Sequence, residues 1–188
     1  HDAFLMEYKQ LTKIINPIFH KSHKKNQMKV VKFGGKSLSN GKGIERFRAI
    51  VQEKVKEEEP LVLVVSARGE TTNALEAILD KAKNSQSYES DFEALKNYQL
   101  EIETPADLSV EFTLLDEIFR GVQLLGDYSP KVKDQVLAQG EIMSAKTIVH
   151  DLQQHDLKAN FVDARPLLKK FRLLPGLSVQ IPTDKQQL

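Results

Sequence analysis

The sequence predicts an α/β fold on a mainly parallel sheet, and three observations carry that expectation. The run 28–33 is strand-like, and the run 61–65 is fully apolar and continuous rather than alternating, as in strands covered on both faces. A helical pattern lies between them, so strand, helix and strand form a βαβ crossover. Each run also ends in small polar residues, the place where open parallel sheets bind ligands.

Taken in order, residues 1–27 stand apart. Phe4, Leu5, Leu11, Ile14, Ile15, Ile18 and Phe19 recur at roughly helical spacing, with Pro17 interrupting. The basic run 20–27 reads as a linker before Met28. His20 and His23 within it lack nearby acidic partners, so a solvated linker is expected rather than a metal site. The strand 28–33 then meets Gly34-Gly35-Lys36-Ser37. Ile44, Phe47, Ile50, Val51 and Val55 mark the crossover helix, which ends at Pro60. The run Leu61–Val65 stops at Ser66-Ala67-Arg68-Gly69. Thr71 or Thr72 is expected to cap the next helix, through Leu75, Ile78, Leu79 and Ala82. Residues 88–125 are mostly helical with a break at Pro105. Ser129-Pro130 is an N-cap and N1 pair opening a helix through Leu152. A third strand is expected at Lys158–Val162, ending in Asp163-Ala164-Arg165.

Composition sets limits on function. At 188 residues the chain has the length of one ordinary domain. Its formal charge of +1 gives no case for a nucleic-acid or membrane partner. The absence of cysteine excludes disulfides, thiolate metal sites and a catalytic thiol. No apolar run approaches the roughly 18 residues of a membrane span, and the N-terminus shows no signal-peptide pattern. A soluble, cytoplasmic protein is the expectation.

The glycine turn is the strongest chemical signal. Its tail, GGKS, suggests the end of a G-x-x-x-x-G-K-[ST] loop, but the first glycine of that motif would fall on Val30. A different cradle is needed, one in which paired glycines bring backbone N–H groups and the preceding Lys32 onto a phosphate. The second tip offers hydroxyl and amide groups at a helix N-terminus, which suits a carboxylate or a phosphate oxygen. Glu141 places a negative charge beside Gly140 in an otherwise small and apolar helical stretch. It is either an ammonium-binding carboxylate or a surface glutamate. Gly140 costs about 1 kcal/mol in a helix interior, so a close approach or a helix break is expected there.

Four segments in order resemble the aspartokinases of the amino-acid kinase superfamily: KFGGKS at 32–37, SARGETTN at 66–73, QGEIMSA at 139–145 and DAR at 163–165. The resemblance spans roughly 28–165 and only part of such an enzyme. It implies a three-layer sandwich with a mainly parallel sheet, the amino-acid kinase fold, incomplete in this chain. Residues 28–170 would be the N-terminal, amino-acid-substrate part of the kinase domain, with 1–27 an extension and 171–188 unassigned.

The implied reaction is phosphoryl transfer from ATP, with Mg²⁺, to the β-carboxylate of L-aspartate, giving 4-phospho-L-aspartate. That is the first step towards lysine, threonine and methionine. Lys32 matches the charge-neutralising catalytic lysine; Gly34, Gly35 and Ser37 match the phosphate loop. Thr72 matches an aspartate contact, Glu141 the group that receives the substrate ammonium, and Ser66 lies in the same acceptor segment. No metal-ligating side chain is implied. A full-length homo-oligomer is, with ACT domains or a fused homoserine dehydrogenase downstream. Lys36 departs from the family pattern, which often has threonine there, and is expected to point to solvent. The alternatives are a non-catalytic substrate-binding domain and a different amino-acid kinase, acting on acetylglutamate, glutamate or a nucleotide. The TTN and QGE segments weigh against the latter.

Overall fold

A computed structural model of the chain describes residues 29–56, 60–163 and 165. The expected N-terminal helix, His20, His23 and the tail 171–188 lie outside the described residues. The chain divides into two units, 20–162 and a second made of 1–19 with 163–188. In the second unit, Arg165 donates from Nε and a terminal nitrogen to the Asp163 carboxylate at 2.7–3.1 Å. This pair holds the Asp163 carboxyl below its usual range.

In the larger unit, strand β1 (Lys29–Phe33) leads into a single 3₁₀ turn (Gly35–Leu38) and helix α1 (Gly41–Val55). Strand β2 (Leu61–Val65) follows, then helices α2 (Thr71–Lys83), α3 (Glu89–Leu100), α4 (Ser109–Leu125) and α5 (Pro130–Gln154). The two strands pair in parallel, Lys29 opposite Leu61 and Phe33 opposite Val65, so the expected βαβ unit is formed. No helix among the described residues is long and apolar enough to cross a membrane.

Alternation along the strands sorts their residues into two faces. Phe33, Leu61, Leu63 and Val65 pack with Ile44, Phe47 and Val51 of α1 and with Ile148 and Leu152 of α5. The Phe33 and Phe47 rings meet edge to face at 4.5 Å. Val30, Lys32, Val62 and Val64 share the opposite face; Lys32 is exposed and the valines are half-buried. The expectation of burial on both faces is therefore met on one face only among the described residues.

A second core joins α2, α3, α4 and the first half of α5, with Phe119 edge-on to both Tyr88 and Phe92. Helix α5 belongs to both cores, giving Val136 and Met143 to one and Ile148 and Leu152 to the other. At 25 residues it is about 37 Å long, enough to reach from one core to the next. It starts as the sequence predicts, with the Ser129 hydroxyl accepting from the Val132 N–H and Pro130 at the first helical position. Arg48 of α1 clasps Asp151 of α5 with bonds of 2.8 and 3.0 Å. That pairing raises the arginine's pKa.

Two expectations need correction. Residues 158–162 form no strand: Ala159 instead accepts from the Gln153 side chain at 2.8 Å, and Leu157 and Ala159 pack onto the core around α1. Side-chain anchoring to the end of α5 takes the place of a sheet ladder. Nor does a threonine cap α2. Glu70 holds the N-cap position without a side-chain cap, and Thr71 turns its hydroxyl back onto the Arg68 carbonyl at 2.6 Å.

Candidate active site

The two strand tips dock directly on one another. Parallel pairing ends at Phe33 and Val65, and the Ser66 N–H continues the ladder by donating to the Phe33 carbonyl at 3.2 Å. One turn further, the Gly69 N–H donates to the Gly35 carbonyl at 2.9 Å. Gly35 lies so close to the second tip that a Cβ on it would sit 2.2 Å from the Ala67 carbonyl oxygen. Gly35 is thus needed for a backbone-to-backbone contact, whatever the turn binds, whereas a Cβ on Gly34 would meet nothing within 4 Å. The Ser37 N–H donates to Gly34 at 3.0 Å and closes the turn.

Helix α5 reaches the same point. A Cβ on Gly140 would stand 2.9 Å from the Ala67 methyl and 3.4 Å from the Thr71 methyl. The helix is unbroken there, so close approach is the reason for the glycine. Ala67, buried to 5 % exposure, therefore touches both glycines, with its carbonyl at Gly35 and its methyl at Gly140. Glu141 follows Gly140 on α5 and is exposed.

The residues expected to act are placed as follows. Lys32 is exposed beside Val64, just before the first tip. Gly34 and Ser37 are exposed, and Gly35 is half-buried at the docking point. Ser66 and Thr72 are half-buried at the end of β2 and the first turn of α2, which is the positive end of that helix. The structure thus gathers segments 34–37, 66–72 and 140–141 around Ala67, with Lys32 leading into the first of them. Lys36 is exposed, and its carbonyl accepts from the Ser39 hydroxyl at 3.0 Å.

Packing also separates the two threonines. Thr71 is 1 % exposed, accepts from the Gln99 amide at 2.7 Å and spends its single proton on Arg68. This fixes the donor chain as Gln99 to Thr71 to Arg68, because a flipped amide would demand a second hydroxyl proton. Thr72 keeps partial access to solvent.

Arg68 was not singled out in the sequence, yet it is 1 % exposed at the centre of this arrangement. Its Nε donates to the Leu38 carbonyl at 3.1 Å, and a terminal nitrogen donates to Gln99 at 3.0 Å and Tyr98 at 3.4 Å. It stacks on the Tyr98 ring, 4.9 Å from the centroid. Burial lowers its pKa, opposed by Tyr98 and Glu101. Tyr98 in turn donates to the Ser39 carbonyl at 2.5 Å, and burial raises its own pKa. A cation between Ala67 and Gly69 in a small-residue loop was the available signal; its partners, about thirty positions away, were not.

Comparison with known proteins bears on these segments. The family model described as "Amino acid kinase family" matches residues 27–186. The bifunctional aspartokinase/homoserine dehydrogenase of Buchnera aphidicola (subsp. Acyrthosiphon pisum) is 27% identical over 150 residues, covering 72% of this chain and 18% of that protein. The lysine-sensitive aspartokinase 3 of Escherichia coli is 25% identical over 150 residues, 77% of this chain and 32% of its own. Among solved structures, E. coli aspartokinase III in complex with aspartate and ADP superposes with a TM-score of 0.60 at 26% identity. That match covers 74% of this chain and 32% of the other. The chain thus spans about a third or less of the relatives it matches.

Proposed function

Because the chain belongs to the amino acid kinase family, we propose that it supplies the acceptor side of an aspartokinase. The intact protein would transfer the γ-phosphoryl group of ATP to the β-carboxylate of L-aspartate and so open a route to lysine, threonine and methionine. The observation that carries this reading is the convergence of the glycine turn, the 66–72 segment and the Gly140–Glu141 step of α5 on Ala67. The solved aspartokinase III complex holds aspartate and ADP in a protein that shares this part of the fold.

The roles follow from chemistry. A carboxylate acceptor is already ionised near neutral pH, so no general base is required, and catalysis rests on alignment and charge neutralisation. Lys32 would neutralise charge on the transferring group. Gly34, Gly35 and Ser37 would let phosphate oxygens approach backbone N–H groups. Thr72 would hold the acceptor carboxylate, Glu141 its ammonium group, and Ser66 would line the same segment. Among the described residues no cluster of three or more His, Asp or Glu side chains is placed to hold a metal ion. In this reading Mg²⁺ enters on the nucleotide phosphates, its usual mode with such substrates. Residues 28–170 form the substrate-side part of the kinase domain, after an N-terminal extension, in a cytoplasmic homo-oligomer.

The test is ADP release by the intact protein from ATP-Mg and a panel of acceptors, with hydroxylamine trapping of any acyl phosphate formed. Aspartate hydroxamate is the expected product. Turnover of acetylglutamate, glutamate or a nucleotide in its place would sink the assignment.

A further inference from the structure

Arg68 and the end of α3 link the two halves of the site through atoms that face away from solvent. Arg68 belongs to the acceptor segment, yet its Nε holds the carbonyl of Leu38 at the far end of the glycine turn. Its other bonds go to the last turn of α3, at Gln99 and Tyr98. From that same turn, the Tyr98 hydroxyl reaches the Ser39 carbonyl behind the glycine turn, and the Gln99 amide reaches Thr71 beside the acceptor threonine. Each link thus has a different destination. Gly69, at φ +49°, leaves room for the Tyr98 hydroxyl, which would lie 2.4 Å from a Cβ at that position. A charged group this buried keeps its place only if its donors are satisfied, and here they bind carbonyls on two separate segments.

We propose that Arg68, Tyr98 and Gln99 form a positioning clamp that sets the nucleotide-side turn and the acceptor-side segment at one fixed separation, with α3 as its backing. None of the three is a catalytic residue. Tyr98 acts through Ser39 on the glycine turn, and Gln99 acts through Thr71 on Thr72. This inference rests on the kinase reading for its kinetic consequences and on the hydrogen bonds alone for its mechanical ones.

The links are separable, so the test is a double dissociation in the intact protein. Tyr98→Phe removes one hydroxyl, and Gln99→Leu removes one amide of similar size whose oxygen has no hydrogen-bond partner in the structure. Loss of one hydrogen bond in the positioning of a bound group corresponds to about a fivefold change in binding. Tyr98→Phe is expected to raise KM for ATP about fivefold and leave KM for aspartate within about twofold. Gln99→Leu is expected to do the reverse. A merely structural role would lower the folded fraction and leave both KM values alone. Equal effects of both variants, or no KM effect from either, would overturn the clamp.

Amide hydrogen exchange on the same variants is read in parallel. Tyr98→Phe should speed exchange over 35–39, and Gln99→Leu over 69–72. If the intact protein turns over no aspartate, the kinase reading fails and exchange alone judges the clamp: selective loosening upholds it, and unchanged exchange rejects it.

Discussion

At Lys32 the fold presents a charged group to solvent at the end of a half-buried strand, so its removal should cost function more than stability. Lys32→Ala is expected to lower kcat about a hundred- to a thousandfold in the intact protein, with a melting temperature close to wild type. Retained turnover would remove Lys32 from the mechanism. The neighbouring threonines should separate in the opposite sense. Thr71→Val strips a buried hydroxyl that both accepts and donates, and should destabilise by about 2 kcal/mol in urea titrations. Thr72→Val should change stability by under about 0.5 kcal/mol and raise KM for aspartate. If the two variants behave alike, the separation drawn between them is wrong. Arg68→Met keeps bulk but leaves the Leu38, Tyr98 and Gln99 carbonyls without their donor, a loss of about 3 kcal/mol.

Among the elements, α5 decides how closely the site is assembled. Gly140→Ala brings opposing effects: about 1 kcal/mol gained in helix propensity against about 1–3 kcal/mol of overpacking on the Ala67 methyl. Stability should therefore move little while turnover falls, because the helix can only relieve the 2.9 Å contact by shifting away from the tips. Adding Ala67→Gly opens the missing space and should restore turnover, and a double-mutant cycle on kcat/KM measures the coupling. Additive losses in that cycle would show that the contact does not place Glu141. The other end of α5 is held by Arg48, whose side chain is 13 % exposed against 2 % for Asp151. Asp151→Asn leaves that guanidinium without its buried counter-charge and should cost about 3 kcal/mol, measured by chemical denaturation. Glu103, 3.3 Å from Arg48 and exposed, offers only weak compensation.

At the scale of the molecule, the sheet has, among the described residues, one packed face and one carrying Lys32 among half-buried valines. Val62 is half-buried, so Val62→Ser should cost about 1 kcal/mol in the 188-residue chain, which spans about a third or less of its relatives. In the intact protein it should cost about 1–2 kcal/mol more, if further elements cover that face. Denaturation of both forms checks this. The βαβ unit, the α5 start at Ser129-Pro130 and the order of the three segments in the larger unit were legible in the sequence, because periodicity, capping and turn chemistry are local properties. Residues 158–162 misled because a short strand-like segment has no ladder of its own; neighbouring edges decide, and here Gln153 and the core around α1 took the segment. The sequence by itself determined the βαβ unit and the helices that follow it, and showed that small polar residues gather at two strand tips and beside a Gly-Glu step. Only the tertiary structure decided that Ala67 is where they meet, that Thr71 faces inward and that Arg68 is buried. Those outcomes depend on partners such as Leu38, Gln99 and Gly140, brought within van der Waals or hydrogen-bonding distance by packing across segments far apart in the chain.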